Sequence, residues 1–267
     1  MRKTSRLFLL ILLAAHTILF SCRTIPETEE LFPEESLPAV WKDIDRGVQK
    51  YEWRAGNAEC RIYKIDLSAP VEIKAFPEKS GWQKPEATAD FAKKEKLLLC
   101  INTNPFERMN ARNPFSKTKP IGIIINNGEL ISGPAEGYTA LAFFLQQDGS
   151  FRAEIIDDQK IIPDLKPEFA FGGFFTVLRG KTVYQFKNYK NMRSGAAVSD
   201  GGKTLYLFAG RNLSYGDTAA IFRNLEAEAC IQFDGGHSTS LVIKGRRELK
   251  GFIPRKAAAG FGLILSH

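Results

Sequence analysis

An aspartate at the end of an apolar run, followed by two glycines, a histidine and three hydroxyl residues, is the strongest chemical signal in this chain. The stretch reads Cys230-Ile231-Gln232-Phe233-Asp234-Gly235-Gly236-His237-Ser238-Thr239-Ser240-Leu241. Paired glycines allow backbone angles closed to other residues and let main-chain N–H groups approach a ligand closely. A carboxylate at a strand end beside such a loop can meet a substrate whose phosphate the loop cradles. The same Asp-Gly-Gly residues also suit an ordinary hairpin turn. Ser238 has no Gly-x-Ser-x-Gly elbow around it, so a serine nucleophile is not expected.

The elements that must position this loop are mostly short strands. Alternation marks strands over 60–67 and 71–76, and a fully apolar run marks a buried strand over 97–101. Asn126-Asn127-Gly128 predicts a hairpin between 121–126 and 128–131. Further strand pairs, 138–145 with 151–156 and 174–178 with 182–186, flank the turns at 147–150 and 179–181. Strands are also expected over 204–209 and 261–265. Two helices stand out: one over 88–96 capped by Thr88, with Phe91 and Ala92 inward, and one from Asp217 or Thr218 through Ala229. Ile221, Phe222 and Leu225 form the apolar stripe of the second, which leads into the strand carrying Asp234. Many strands, few helices and hairpin connections predict an α+β fold: a single domain with a mixed, largely antiparallel sheet.

The N-terminus reads as an export signal. Arg2, Lys3 and Arg6 precede an apolar run over 7–20, too short for a comfortable membrane span. Ser21-Cys22 follows and resembles a bacterial lipobox, which implies cleavage after residue 21 and a lipid on Cys22. Residues 22–40 form an acidic, proline-containing tether with five glutamates and little periodicity. Residues 41–267 are then the folded domain. These expectations place the protein outside the cytoplasm, lipid-anchored to a bacterial membrane and facing the periplasm or the surface.

The formal charge of +7 falls when Arg2, Lys3 and Arg6 leave with the signal. A mildly basic exported domain suits an anionic substrate, and a nucleic-acid partner is not expected. Cys60, Cys100 and Cys230 lie in or beside apolar runs without metal-ligand spacing, which favours buried free thiols over a zinc site and leaves open a disulfide between two of them outside the cytoplasm.

Several landmarks, in one order, resemble the phosphodiester glycosidase family. Its closing motif, Asn-Leu-Asp-Gly-Gly-Gly-Ser-Ser, is similar to Gln232-Phe233-Asp234-Gly235-Gly236-His237-Ser238-Thr239. Its earlier Asn-Gly-Gly-Tyr-Phe-Asp motif is similar to Asn102-Thr103-Asn104-Pro105-Phe106-Glu107. Between them lie Pro120-Ile121-Gly122-Ile123, Asn127-Gly128-Glu129, Leu178-Arg179-Gly180-Lys181 and Met192-Arg193-Ser194-Gly195-Ala196. Gly210-Arg211 and Ser214-Tyr215-Gly216 complete a resemblance running from about residue 60 to 264. Three departures mark a divergent member. Thr103 and Asn104 replace two glycines, His237 replaces a third, and Gly195 stands where a larger residue is common.

The resemblance implies hydrolysis of a sugar joined through its anomeric carbon to a phosphodiester. Phosphate leaves readily, so such a site needs charge stabilisation more than a general acid. Asp234 is then the expected nucleophile or base, with Glu107 as a carboxylate partner and His237 as an acid, base or phosphate contact. Arg193 would grip the phosphate, helped by N–H groups at Gly235 and Gly236. Asn102 would orient the sugar or the loop, and Ser238 would contact substrate. Asp234, Asn102 and Glu107 offer oxygen ligands to a hard cation without forming a metal motif, so no cofactor or metal is assigned and a divalent cation stays open. Two other classes stay open: an envelope lipoprotein that binds glycans or anionic polymers without turnover, and a surface adhesin or assembly factor.

Overall fold

Asn127 and Gly128 both take positive φ, 51° and 74°, as a type I′ turn requires. They close the hairpin between strands Ile124–Asn126 and Glu129–Ser132, where the sequence predicts it. The computed structural model describes residues 39–183 and 189–265. The expected signal segment, Cys22, nearly all of the tether and the end of the strand expected over 182–186 lie outside the described residues.

Among the described residues, three larger sheets and one two-stranded ribbon build the fold, and every strand pair is antiparallel. The expected mixed sheet is therefore corrected to several antiparallel sheets. The eight-stranded sheet has at its centre Ala58–Asp66, Thr204–Leu213, Asn191–Ser199 and Ala229–Gln232, in that order. One five-stranded sheet centres on Thr139–Leu145 and Phe169–Gly173. The other runs from Arg246–Arg247 through Leu241–Ile243, Leu99–Asn102 and Gly260–Leu265 to Val71–Phe76.

One core joins all three sheets. Tyr63, Leu207 and Ile231 from the first meet Phe143 and Phe171 from the second, and Ile101 and Phe261 from the third. The Phe171 and Phe261 rings stack 4.6 Å apart, and Phe143 meets Phe261 edge-on at 5.5 Å. Helix Tyr215–Asn224 covers the other face of the large sheet, with Phe222 4.8 Å from Phe208. Helix Thr88–Lys94 seals the third sheet through Phe91 against Phe76.

Local chemistry moves the helix ends from their expected places. Ser214 accepts from the Asp217 N–H at 3.0 Å, while Asp217 accepts from the Ser214 N–H at 2.7 Å. This reciprocal capping box starts the helix at Tyr215, ahead of Asp217. It ends near Leu225 because Glu226 turns left-handed, at φ 57°, so 229 already belongs to a strand. Thr88 is the first helical residue of the other helix rather than its cap. Ala87 holds the cap position without a side-chain bond, although Phe91 and Ala92 do face inward.

Strand Asn191–Ser199 has no clear sequence signal, because it is buried on both faces by small residues and so shows no alternation. Gly195 is enforced there: a Cβ would lie 2.1 Å from the Ile231 carbonyl oxygen and 2.7 Å from the Phe208 ring. The glycine that departs from the family pattern is thus what lets two central strands and a core ring pack.

Candidate active site

The chain carrying Asp234 leaves the large sheet at Gln232 and enters the third sheet at Leu241. The loop between them therefore crosses from one sheet to another, and its shape depends on what pins it. Asn102, at the end of strand Leu99–Asn102 and fully buried, is the main pin. Its Nδ2 donates to the Asp234 carbonyl at 2.7 Å. Its Oδ1 accepts from the Ser240 N–H at 2.8 Å and from the Ser194 hydroxyl at 3.2 Å. Ser194 Oγ is also placed to donate to the Asp234 carbonyl at 3.0 Å. The Asp234 N–H donates to the Thr103 carbonyl at 2.8 Å. One amide thus clamps both ends of the loop, and of its two expected roles this geometry matches orienting the loop.

Thr103 and Asn104, the residues replacing family glycines, are buried and do not need positive φ. Asn104 Nδ2 donates to the carbonyls of Ile121 and Ile123 at 3.0 and 3.1 Å, and its Oδ1 accepts from Thr103. The substitutions thus add side-chain ties between this turn and the segment after Pro120.

The Asp234 carboxylate is only 6% exposed as a residue. Burial pushes its pKa above the ordinary value, while a hydrogen bond from Ser238 and the nearby Arg255 charge pull it back. Arg255 Nη2 lies 3.3 Å from Asp234 Oδ2, and its Nε donates to Ser238 Oγ at 2.6 Å. The Arg255 N–H also donates to the His237 carbonyl at 2.8 Å. Sequence reasoning missed Arg255, and no spacing signal points to it, because it is brought in by a loop 21 residues downstream.

Arg193 lies beside Gly235. It is 2% exposed, yet forms no ion pair with a carboxylate among the described residues. Nε donates to the Leu213 carbonyl at 3.2 Å and Nη2 to the Tyr189 carbonyl at 2.8 Å. Its guanidinium sits 3.8 Å from the Tyr215 ring and 4.9 Å from that of Tyr189. A Cβ on Gly235 would come within 3.9 Å of Nη1 and within 2.9 Å of the Met192 carbonyl, so glycine keeps this approach open. Ser214-Tyr215-Gly216 was legible as a motif, but the clamping role of Tyr215 and Tyr189 was not.

Gly236 adopts φ 57° and opens a short 3-10 turn, Gly236–Ser238. The N–H groups of Gly235, Gly236 and His237 meet no protein acceptor among the described residues. Gln232 Oε1, Thr239 Oγ1 and Ser240 Oγ are buried there without a partner among the described residues. The structure therefore brings together Asp234, Gly235, Gly236, Ser238, Arg193 and Asn102. His237 is exposed at the edge, with its ring 6.0 Å from Phe252.

Glu107 is placed differently. It is exposed on strand Phe106–Arg108, opposite Lys119, while Phe106 on the alternate face lies 4.9 Å from the Arg255 guanidinium. The strand's alternation points Glu107 away from Arg255 and hence away from Asp234. Asn102 Oδ1 is already held by two donors, so the three oxygen donors considered for a cation do not converge. No group of three or more His, Cys, Asp or Glu residues with metal-binding geometry occurs among the described residues. Cys60, Cys100 and Cys230 are buried and free.

The sequence profile of the phosphodiester glycosidase family matches residues 96–264. No curated protein sequence gives a significant match. Among solved structures, a Synechocystis protein is 14% identical with a TM-score of 0.64, over 87% of this chain. This chain spans 64% of that protein's length. The catalytic domain of zebrafish N-acetylglucosamine-1-phosphodiester alpha-N-acetylglucosaminidase, auto-inhibited by its pro-peptide, is 17% identical with a TM-score of 0.59, over 86% of this chain and 82% of its own. A Burkholderia pseudomallei protein is 12% identical with a TM-score of 0.63, over 80% of this chain and 74% of its own. At these identities the likeness is one of fold.

Proposed function

The chain belongs to the phosphodiester glycosidase family, and from that premise we propose that it hydrolyses the bond between a sugar's anomeric carbon and a phosphodiester. The observation that carries this reading is Arg193: a buried guanidinium with no carboxylate partner among the described residues, facing the glycine pair after a buried aspartate. A buried cation without a counter-ion favours an anion bound beside it. Two ring faces and two carbonyls hold the guanidinium in place, so little reorganisation accompanies binding.

In this reading a phosphate oxygen pair meets Arg193, and the open N–H groups of Gly235, Gly236 and His237 complete the cradle. The sugar lies toward Asp234. As the glycosidic bond breaks, its electron pair stays with the phosphate oxygen, whose charge the guanidinium stabilises without proton transfer. Asp234 either attacks the anomeric carbon or takes the proton of the water that does. Ser238 and Arg255 hold its carboxylate in register. His237, at the exposed edge, contacts the phosphate or its aglycone. Glu107 has no part in this scheme because its strand turns it away.

The export signal expected over residues 1–21 and the lipid expected on Cys22 would place the site of action in the cell envelope, held to the membrane. The test is turnover of an N-acetylglucosamine 1-phosphodiester and a panel of other sugar 1-phosphodiesters, beside Asp234→Asn. Release of free sugar by the wild type and not by the mutant supports the proposal. Silence across the panel, with glycan phosphodiester bound equally by both proteins, would replace it with a binding lipoprotein.

A further inference from the structure

The two loops that meet around the Phe106 ring, beside Asp234, share an unusual surface. Residues 107–119 carry Arg108, Arg112, Lys117 and Lys119 against one acid, Glu107, opposite Lys119, and residues 250–256 carry Lys250, Arg255 and Lys256 with none. Phe106 joins the two loops: its ring lies 5.3 Å from the Arg108 guanidinium and 4.9 Å from that of Arg255. Among the described residues, Arg255 alone of these seven cations has a carboxylate within ion-pair distance, the mostly buried Asp234. The same loops bear three large apolar side chains in water: Met109 at 58% exposure, Phe115 at 80% and Ile253 at 78%.

We propose that this surface docks the Asp234 side of the domain onto an anionic lipid bilayer. Cations alone would fit a soluble polyanion equally well. Phe115, Ile253 and Met109 decide between the two, because a charged polymer offers nothing apolar to cover them, whereas a bilayer takes such side chains below the headgroups. Arginine and lysine beside them match the negative phosphates at that depth. Arg108 Nη1 is tied to the Pro114 carbonyl at 2.6 Å, and Asn113 and Asn110 side chains accept from the N–H groups of Phe115 and Arg112. The loop carrying Phe115 is therefore held by its own bonds rather than hanging loose. The surface is distinct from the expected lipid on Cys22, which would tether the protein without orienting it. Combined with the proposed hydrolysis, it selects substrates whose phosphodiester sits at headgroup level, with the aglycone in the membrane.

The experiment is hydrogen–deuterium exchange on the full chain bound to vesicles of phosphatidylcholine alone or with added phosphatidylglycerol. Any N-terminal anchor contributes equally to both. The expected result is slower exchange over residues 109–117 and 251–256 in anionic vesicles only, with the hairpin turn at 146–150 unchanged. Phe115→Ser with Ile253→Ser removes the protection, and Arg112→Gln lowers the docking constant about fivefold. Equal exchange in the two vesicles overturns the proposal. So does equal protection by soluble polyphosphate, or protection that survives the double serine change. Turnover of a soluble sugar phosphodiester by the double variant stays at the wild-type rate, so a failed docking test leaves the hydrolytic reading standing, and the reverse.

Discussion

Asn102→Ala is the sharpest perturbation the structure offers, because one buried amide supports the whole loop. Its removal orphans the Ser240 N–H, which now donates at 2.8 Å to Asn102 Oδ1, and an orphaned buried donor costs about 1–3 kcal/mol. The Asp234 carbonyl loses one of its two donors and keeps Ser194, a loss of about 0.5–1.5 kcal/mol. A small void adds about 1 kcal/mol. Together these give about 2.5–5.5 kcal/mol, or a fall in melting temperature of roughly 5–22 °C for a domain of this size. Ser194→Ala is the control. It deletes a hydroxyl but leaves both the Asn102 oxygen and the Asp234 carbonyl with a partner, so its cost stays near 1 kcal/mol. The assay is thermal unfolding of both variants, followed by turnover at a temperature where both are folded. Equal melting temperatures for Asn102→Ala and Ser194→Ala would refute the clamp, as would Asn102→Ala turnover matching wild type.

Arg193→Met lowers kcat/KM on a phosphodiester about 100- to 1000-fold while shifting the melting temperature by less than about 3 °C, since removing a buried charge that lacks a carboxylate partner among the described residues offsets the donors lost by the Leu213 and Tyr189 carbonyls. A large loss of stability with little loss of turnover would make that arginine structural. The acid limb of kcat/KM lies above 3.8, because burial holds the Asp234 carboxyl above that ordinary value. Arg255→Gln moves the limb further up, since the guanidinium opposes the rise, and a downward shift would contradict the assignment. The linked stability has the opposite slope. The native chain holds the Asp234 proton where the unfolded chain has released it, so stability falls as pH rises from about 3.8 through the folded pKa, and Asp234→Asn flattens that slope. Finally, a thiol reagent labels none of Cys60, Cys100 and Cys230 in the native protein, because all three are buried and burial raises their thiol pKa. Rapid labelling of any of them would show that the core opens.

What the sequence determined by itself is what depends on neighbours along the chain. The turn at Asn127-Gly128, the strand leading to Asp234 and the glycine pair after it all follow from local backbone preference and alternation. The motif order from Asn102 to Asp234 was legible for the same reason, as short segments each read alone. Tertiary structure decided everything that joins distant segments. Asn102 and the Asp234 carbonyl are 132 residues apart, and only the meeting of two sheets makes them partners. The Asn191–Ser199 strand stayed invisible because small residues packed on both faces carry no period, though it delivers both Arg193 and Ser194. Glu107 looked like a second carboxylate from its motif, and a single step of strand alternation turned it outward. Arg255 had no motif at all, yet a returning loop sets it against the one buried carboxylate of the site. Local patterns name the residues that can do chemistry; close packing of three sheets chooses which of them meet.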